Sequence, residues 1–204
     1  MPPRTHALVR DGDTRERILE AGAQAIAHKS FSGCGLAEIL AAAGVPKGSF
    51  YHYFASKEEF GVALIERASA QHLATLAPIL ADHGRAPLAR LRAVFELGRS
   101  HCQSQGAARQ CLIPKLALET AQLSAPVQAA VKAAYDQWRA VLAEVIRAAQ
   151  LRGEVRRGQD PDHLAEVLVM LWEGATIRMQ IDQSLRPLDD FFEFVFDSLL
   201  APSR

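Results

Sequence analysis

A chain of 204 residues can bury a core without disulfides or metals, and its make-up, 49% hydrophobic but only 7% aromatic, favours helices over strands. The 23 Lys and Arg residues balance 23 Asp and Glu, so net charge gives no general pull toward nucleic acid or membrane. Three cysteines without CxxC spacing argue against zinc and structural disulfides, and no apolar run reaches the roughly 18 residues of a membrane helix or forms a secretion signal, pointing to an all-α cytoplasmic protein with no membrane partner, metal or cofactor.

Residues 1–12 are polar, with two prolines and two arginines, and read as a flexible arm. From Thr14 the positions Ile18, Leu19, Ala21, Ala25 and Ile26 recur at helical spacing to about Lys29, with Asp13 or Thr14 as the cap. Gly33 and Gly35 interrupt the pattern; Leu36, Ile39 and Leu40 then mark a short second helix that Gly44 closes in a left-handed conformation. Pro46 suits the first turn of a third, very short helix reaching Phe54. Ser56 caps a fourth helix that runs to about Leu80, and periodic segments at 87–103, 110–122, 125–151, 161–181 and 188–200 complete nine or so helices.

Two short helices joined by a tight turn containing glycine, here AGVP, and propped by a preceding helix are the layout of a helix-turn-helix. Between Glu38 and Glu58 the positive groups Lys47, His52 and Lys57 meet no carboxylate. With Phe50 and Phe54 turned inward, Lys47, Ser49, Tyr51 and His52 spread over the outer face of the third helix; Gly48 lets a backbone come close, and Tyr53 adds another aromatic donor. Lys57 and the free amides at the start of the fourth helix suit a phosphate. The same residues would also make a surface helix with aromatic packing. A phosphate-binding loop is excluded, because Lys47 precedes Gly48 and the required glycine frame is missing.

The second informative stretch is RQCLIPKLALETAQLS, from Arg109 to Ser124. Pro114 belongs in a first turn, which puts Cys111 at or beside a helix start, where the dipole together with Arg109 and Lys115 favours a thiolate. Leu112, Ile113 and Leu116 around it equally fit an inert core cysteine. Farther on, Leu164, Leu168, Leu171 and Ala175 form one stripe, and Phe191, Val195 and Leu199 belong to a helix apolar nearly all round, which must be covered on more than one side, something core packing alone could supply in a large domain. Trp138, Trp172, Met170 and Met179 are expected to pack the core or, as the lesser alternative, to line a pocket. His101 beside Cys102 makes a poor catalytic pair, since adjacent helical side chains diverge, so no catalytic residue is assigned and a helical enzyme is the remote alternative.

The segment GLAEILAAAGVPKGSFYHYFASKEEFGVALIE resembles the DNA-binding region of TetR-family repressors. The resemblance implies an all-helical homodimer on double-stranded operator DNA, with Tyr51, His52, Tyr53 and Lys57 at DNA-contact positions. It divides the chain into the arm at 1–12, the helix-turn-helix at 13–56 and a sensor and dimerisation domain at 57–204. It also places Leu164, Leu168, Leu171, Phe191, Val195 and Leu199 in a four-helix dimer interface. Where the family often has a hydroxyl residue before the second helix this chain has Cys34 and Gly35, whose amide can substitute; Cys34 itself reads as a small buried filler.

The motifs CLIPKLALE and WEGA are similar to those of the NemR-like branch, typified by the N-ethylmaleimide reductase repressor. That likeness implies that Cys111 senses oxidants or electrophiles. A lysine able to trap the oxidised thiol in that branch is matched here by Gln180, a far poorer nucleophile, which leaves a sulfenic acid, a disulfide with Cys102 or between subunits, or reaction with Lys115 or Arg178. Related acrylate-responsive repressors share these motifs, so release by a reversibly bound ligand such as a small unsaturated acid is the alternative.

Overall fold

The computed structural model describes residues 11–105, 112–120 and 124–201. Among the described residues there are nine α-helices and no strand. They are α1 (Asp11–His28), α2 (Leu36–Ala43), α3 (Lys47–Tyr53), α4 (Lys57–Leu80), α5 (Pro87–Gln105), α6 (Leu112–Thr120), α7 (Ala125–Leu151), α8 (Pro161–Asp182) and α9 (Arg186–Phe194), the last continued by a π-helical turn, Val195–Leu199. The all-α expectation holds. One boundary differs instructively: α9 starts at Arg186 because Pro187 occupies its first turn instead of separating two helices; at the other end Asp11 and Gly12, expected in the arm, are helical.

The chain forms two compact units, Met1–Ala68 with Cys111–Val131, and Ser69–Gln110 with Lys132–Arg204. In the first, Ile18, Leu19 and Ile26 of α1, Ile39 and Leu40 of α2, Phe50 of α3 and Phe60, Leu64 and Ile65 of α4 are all buried. Phe50, Phe54 and Phe60 pack with ring centroids 5.1 to 5.6 Å apart, and burying each ring contributes about 2–3 kcal/mol. This cluster needs Gly22, where a Cβ would lie 2.3 Å from the Phe60 Cζ. Gly44, at φ 64°, ends α2 as expected, and Arg17 of α1 donates to the orphaned carbonyls of Ala43 at 2.5 Å and Gly44 at 3.2 Å. Pro46 stands one residue before α3 as its N-cap rather than within the first turn. The Ser56 hydroxyl accepts from the Glu59 amide at 3.0 Å, and the Glu59 carboxylate accepts from the Ala55 amide at 2.7 Å, a near-reciprocal cap for α4.

The second unit is built around Phe95, with Leu91, Leu142, Ile146, Leu164, Leu168 and Val195 buried beside it. The rings of Phe191, Trp172 and Trp138 lie 4.9, 5.3 and 6.2 Å from that of Phe95. Trp172 sits over Gly98, where a Cβ would meet its Cζ2 at 2.6 Å. The tryptophans and the buried Met179 thus pack the core, but Met170 does not: it is 57% exposed.

Four of the six residues expected at a dimer interface are buried within the single chain instead. Leu164, Leu168, Phe191 and Val195 are at most 5% exposed within the single chain, and Leu171 and Leu199 pack against the same core. A side chain without free surface adds no buried area to a partner, so Leu164, Leu168, Phe191 and Val195 hold the unit together, while the half-buried Leu171 and Leu199 keep surface of their own. Among the described residues no helix is long and apolar enough to cross a membrane.

Candidate nucleic-acid interface and sensor segment

α3 divides as its sequence predicts. Phe50 is buried, as is Phe54 just beyond the helix, while Lys47, Gly48, Tyr51 and His52 are exposed and Ser49, Tyr53 and Lys57 are half-buried. Tyr51 is 60% exposed, its ring edge-on to that of Phe50 at 5.4 Å, so a buried ring steadies an exposed phenol. His52 and Tyr53 pack edge-to-face at 4.9 Å. Lys47 makes no ion pair among the described residues, whereas Lys29 is held by Glu38 at 2.6 Å, a hydrogen bond that raises the lysine pKa.

Two glycines of the helix-turn-helix, Gly35 and Gly48, lack a reason among the described residues. A Cβ on Gly48, inside α3, would meet nothing within 4 Å, and neither would one on Gly35, the N-cap of α2, whose φ of −71° any residue adopts. Glycine inside a helix costs about 0.5–1 kcal/mol relative to alanine. Nothing among the described residues recovers that cost.

Lys57 is more committed than expected. Its ammonium donates to the Cys34 carbonyl at 2.7 Å and lies 5.0 Å from the centre of the Phe31 ring, bracing the approach to α2. An ammonium has three donors, so the bond leaves capacity for a phosphate. Cys34 is the buried filler that its residue type suggests: it is 1% exposed, and burial pushes its thiol pKa up, away from the reactive thiolate.

The sequence reading passed over Arg15 and Arg67. Arg15, exposed near the start of α1, lies over the Phe54 ring at 5.4 Å; a cation close to a helix N-terminus, where the dipole disfavours it, was the available signal. Arg67 of α4 binds Glu16 at 2.6 Å and Glu20 at 2.5 Å, tying α4 to α1.

Cys111 and Arg109 lie outside the described residues. α6 is described from Leu112, with Pro114 within it. Of the expected partners, Lys115 donates to the Ala27 carbonyl at 3.3 Å and Arg178 pairs with Asp182 at 2.9 Å. Gln180 is half-buried in α8, with its carbonyl accepting from the Gln183 side chain at 2.6 Å, and Cys102 is half-buried in α5. Among the described residues no cluster of His, Cys, Asp and Glu could hold a metal ion.

This fold, with donors and aromatics exposed on α3, is that of a helix-turn-helix protein. Residues 18–64 match the family described as bacterial regulatory proteins, tetR family, and residues 87–195 match the tetracyclin repressor-like C-terminal domain. The transcriptional regulator AcuR of Cereibacter sphaeroides is 38% identical over 86% of this chain and 80% of its own. The transcriptional repressor DhaR of Mycobacterium sp. strain GP1 is 35% identical over 93% and 94%. The Escherichia coli repressor NemR is 33% identical over 94% and 96%, and the crystal structure of its reduced form aligns with a TM-score of 0.85, covering 93% of this chain and 100% of that one. The chain belongs to the TetR family, in its NemR-like branch, and is a DNA-binding transcriptional repressor rather than an enzyme.

Proposed function

We propose that this repressor reads an operator of inverted half-sites through α3. Lys47, Ser49, Tyr51, His52 and Tyr53 face the groove, Lys57 contacts a phosphate and Gly48 lies against the DNA backbone. The observation that carries this reading is Gly48: a glycine inside a short helix, on an exposed face and without an internal neighbour, makes sense where another molecule comes into contact. A two-fold operator calls for a two-fold protein. On α8, Met170, Gly174, Ile177 and Ile181 form an exposed stripe at spacings of four, three and four, with Phe194 of α9 also exposed; this is the surface we assign to the second copy.

Cys111 is the proposed sensor, its thiol taking up an electrophile or oxidant and the modified chain releasing DNA. The reading rests on the sequence of the CLIPKLALE segment and the chain's NemR-like branch. A second reading, release by a reversibly bound small unsaturated acid, rests on the motifs shared with acrylate-responsive repressors, while Gln180 weighs only against an oxidised cysteine trapped by an amine. Fluorescence anisotropy of a duplex from the gene's own upstream region, before and after N-ethylmaleimide, separates them. Binding lost in the wild type but retained in Cys111→Ser supports the thiol switch; binding indifferent to the reagent in both supports the reversible ligand.

A further inference from the structure

α6 carries two side chains, four residues apart, that reach back to the end of α1. The Glu119 carboxylate accepts from the Phe31 amide at 2.6 Å, across 88 residues of sequence, and the Lys115 ammonium donates to the Ala27 carbonyl at 3.3 Å. Ala27 lies in the last turn of α1, where carbonyls lack helical partners and a cation suits the dipole; Phe31 lies in the turn leading to α2. Between the two, Leu116 is fully buried.

The contacts continue beyond that turn. The Phe31 ring closes on α4, where a Cβ at Gly61 would come within 3.0 Å of its Cζ. Lys57 lies above the same ring and donates to the Cys34 carbonyl, two residues before α2 begins. A second tie runs from Ser124, whose hydroxyl bonds to Glu58 of α4 while accepting from the Val127 amide at 3.2 Å at the start of α7. Glu119, Phe31, Lys57 and Cys34 thus make one connected path from α6 to the helix-turn-helix, wholly inside the first compact unit.

We infer that Glu119 and Lys115 are positioning residues for operator binding, coupling α6 to the α1–α2 turn so that the state of α6 and occupancy of the reading face bias one another. The coupling itself does not depend on what reacts at Cys111; its use as a route for induction rests on the sensor reading above, since α6 follows Cys111 directly in sequence. Linkage makes such coupling reciprocal, so operator binding must change α6 as much as α6 changes operator binding.

Hydrogen–deuterium exchange of the full-length protein, with and without operator duplex, tests this. In the wild type the duplex should slow exchange in Leu112–Thr120 by at least about fivefold, the lower range of allosteric coupling. In Lys115→Met with Glu119→Gln that slowing should vanish while the duplex still protects Lys47–Tyr53. Glu119→Gln alone, which keeps the shape and a neutral acceptor, should show it reduced, and serves if the double variant does not fold. A residue that merely supports the fold would alter exchange equally with and without DNA. Exchange in α6 indifferent to the duplex in the wild type, or slowing undiminished in the variants, would overturn the inference. Loss of the N-ethylmaleimide response with α6 slowing intact would instead remove only the thiol reading.

Discussion

The Lys57 ammonium lies 2.7 Å from the carbonyl oxygen of Cys34, 23 residues earlier, so the first residue of α4 fixes the approach to α2. The bond sits in a half-buried position, and the same ammonium faces the Phe31 ring. One cation thereby supports the reading head and stands beside the surface assigned to phosphate. Replacing it should produce two separable effects. Lys57→Met should lower the unfolding free energy by about 1 kcal/mol, from the lost hydrogen bond and ring contact, in urea melts. In operator titrations it should also reduce the slope of log affinity against log salt by about one, the value of a single phosphate contact. A stability loss with an unchanged salt slope would leave Lys57 structural only.

The dimer surface is testable through the two faces of α8. Ile181→Glu places a charge on the exposed stripe and should convert dimer to monomer in sedimentation with little change in helix content, weakening operator binding at least about tenfold as two-site reading is lost. Leu168→Ala, on the buried face, should instead cost about 2–5 kcal/mol of stability. A monomeric wild type, or a dimer untouched by Ile181→Glu, would reject the assignment of the stripe.

These two faces also mark where sequence reading stops. α8 is apolar on opposite sides, Leu164 and Leu168 on one and Met170, Ile177 and Ile181 on the other, and periodicity alone does not say which side meets the chain's own core. The helix-turn-helix was far more legible, since Gly44, Pro46, Phe50, Phe54 and Ser56 each act within a turn or two of their own position. Glu119 was not legible at all: its partner is a backbone amide 88 residues away, and no local pattern encodes such a bond. Pro187 illustrates a third case, where the same residue fits a break between helices or a first turn, and only packing decides.

Glu173 gives a pH prediction. Burial raises its carboxyl pKa above the ordinary value, and a hydrogen bond from the Tyr135 hydroxyl opposes the shift without cancelling it. A raised folded-state pKa means that the folded chain holds the proton more tightly than the unfolded one. The associated stability is therefore complete below the unfolded carboxyl value and is lost as pH rises through the folded value. Glu173→Gln, which keeps an acceptor for Tyr135 without the charge, should melt higher than the wild type at pH 7.5, with the difference closing as pH falls toward 4. Tyr135→Phe should go the other way, costing about 1 kcal/mol at neutral pH by leaving the carboxylate without that donor. Equal melting of Glu173→Gln and the wild type across the range would contradict the burial argument.

Packing around Gly22 is a further check on the reading head. Gly22→Ala drives a methyl group into the fully buried Phe60 ring and should cost about 1–3 kcal/mol, typical of overpacking. Calorimetry of the variant should show the lower melting temperature, and an unchanged one would mean that the Phe50–Phe54–Phe60 cluster is looser than its geometry implies.

The central claim, that the exposed face of α3 lies against operator DNA, is tested most directly at Gly48. Gly48→Ala adds a methyl group that meets nothing among the described residues, so the variant should be about 0.5–1 kcal/mol more stable in denaturant melts. Anisotropy titration with the operator duplex at fixed salt should nevertheless show affinity reduced at least about tenfold, the loss of roughly 1.4 kcal/mol expected when a backbone approach is blocked. A variant that is more stable and binds its operator as tightly as the wild type would contradict the placement of α3 in the groove.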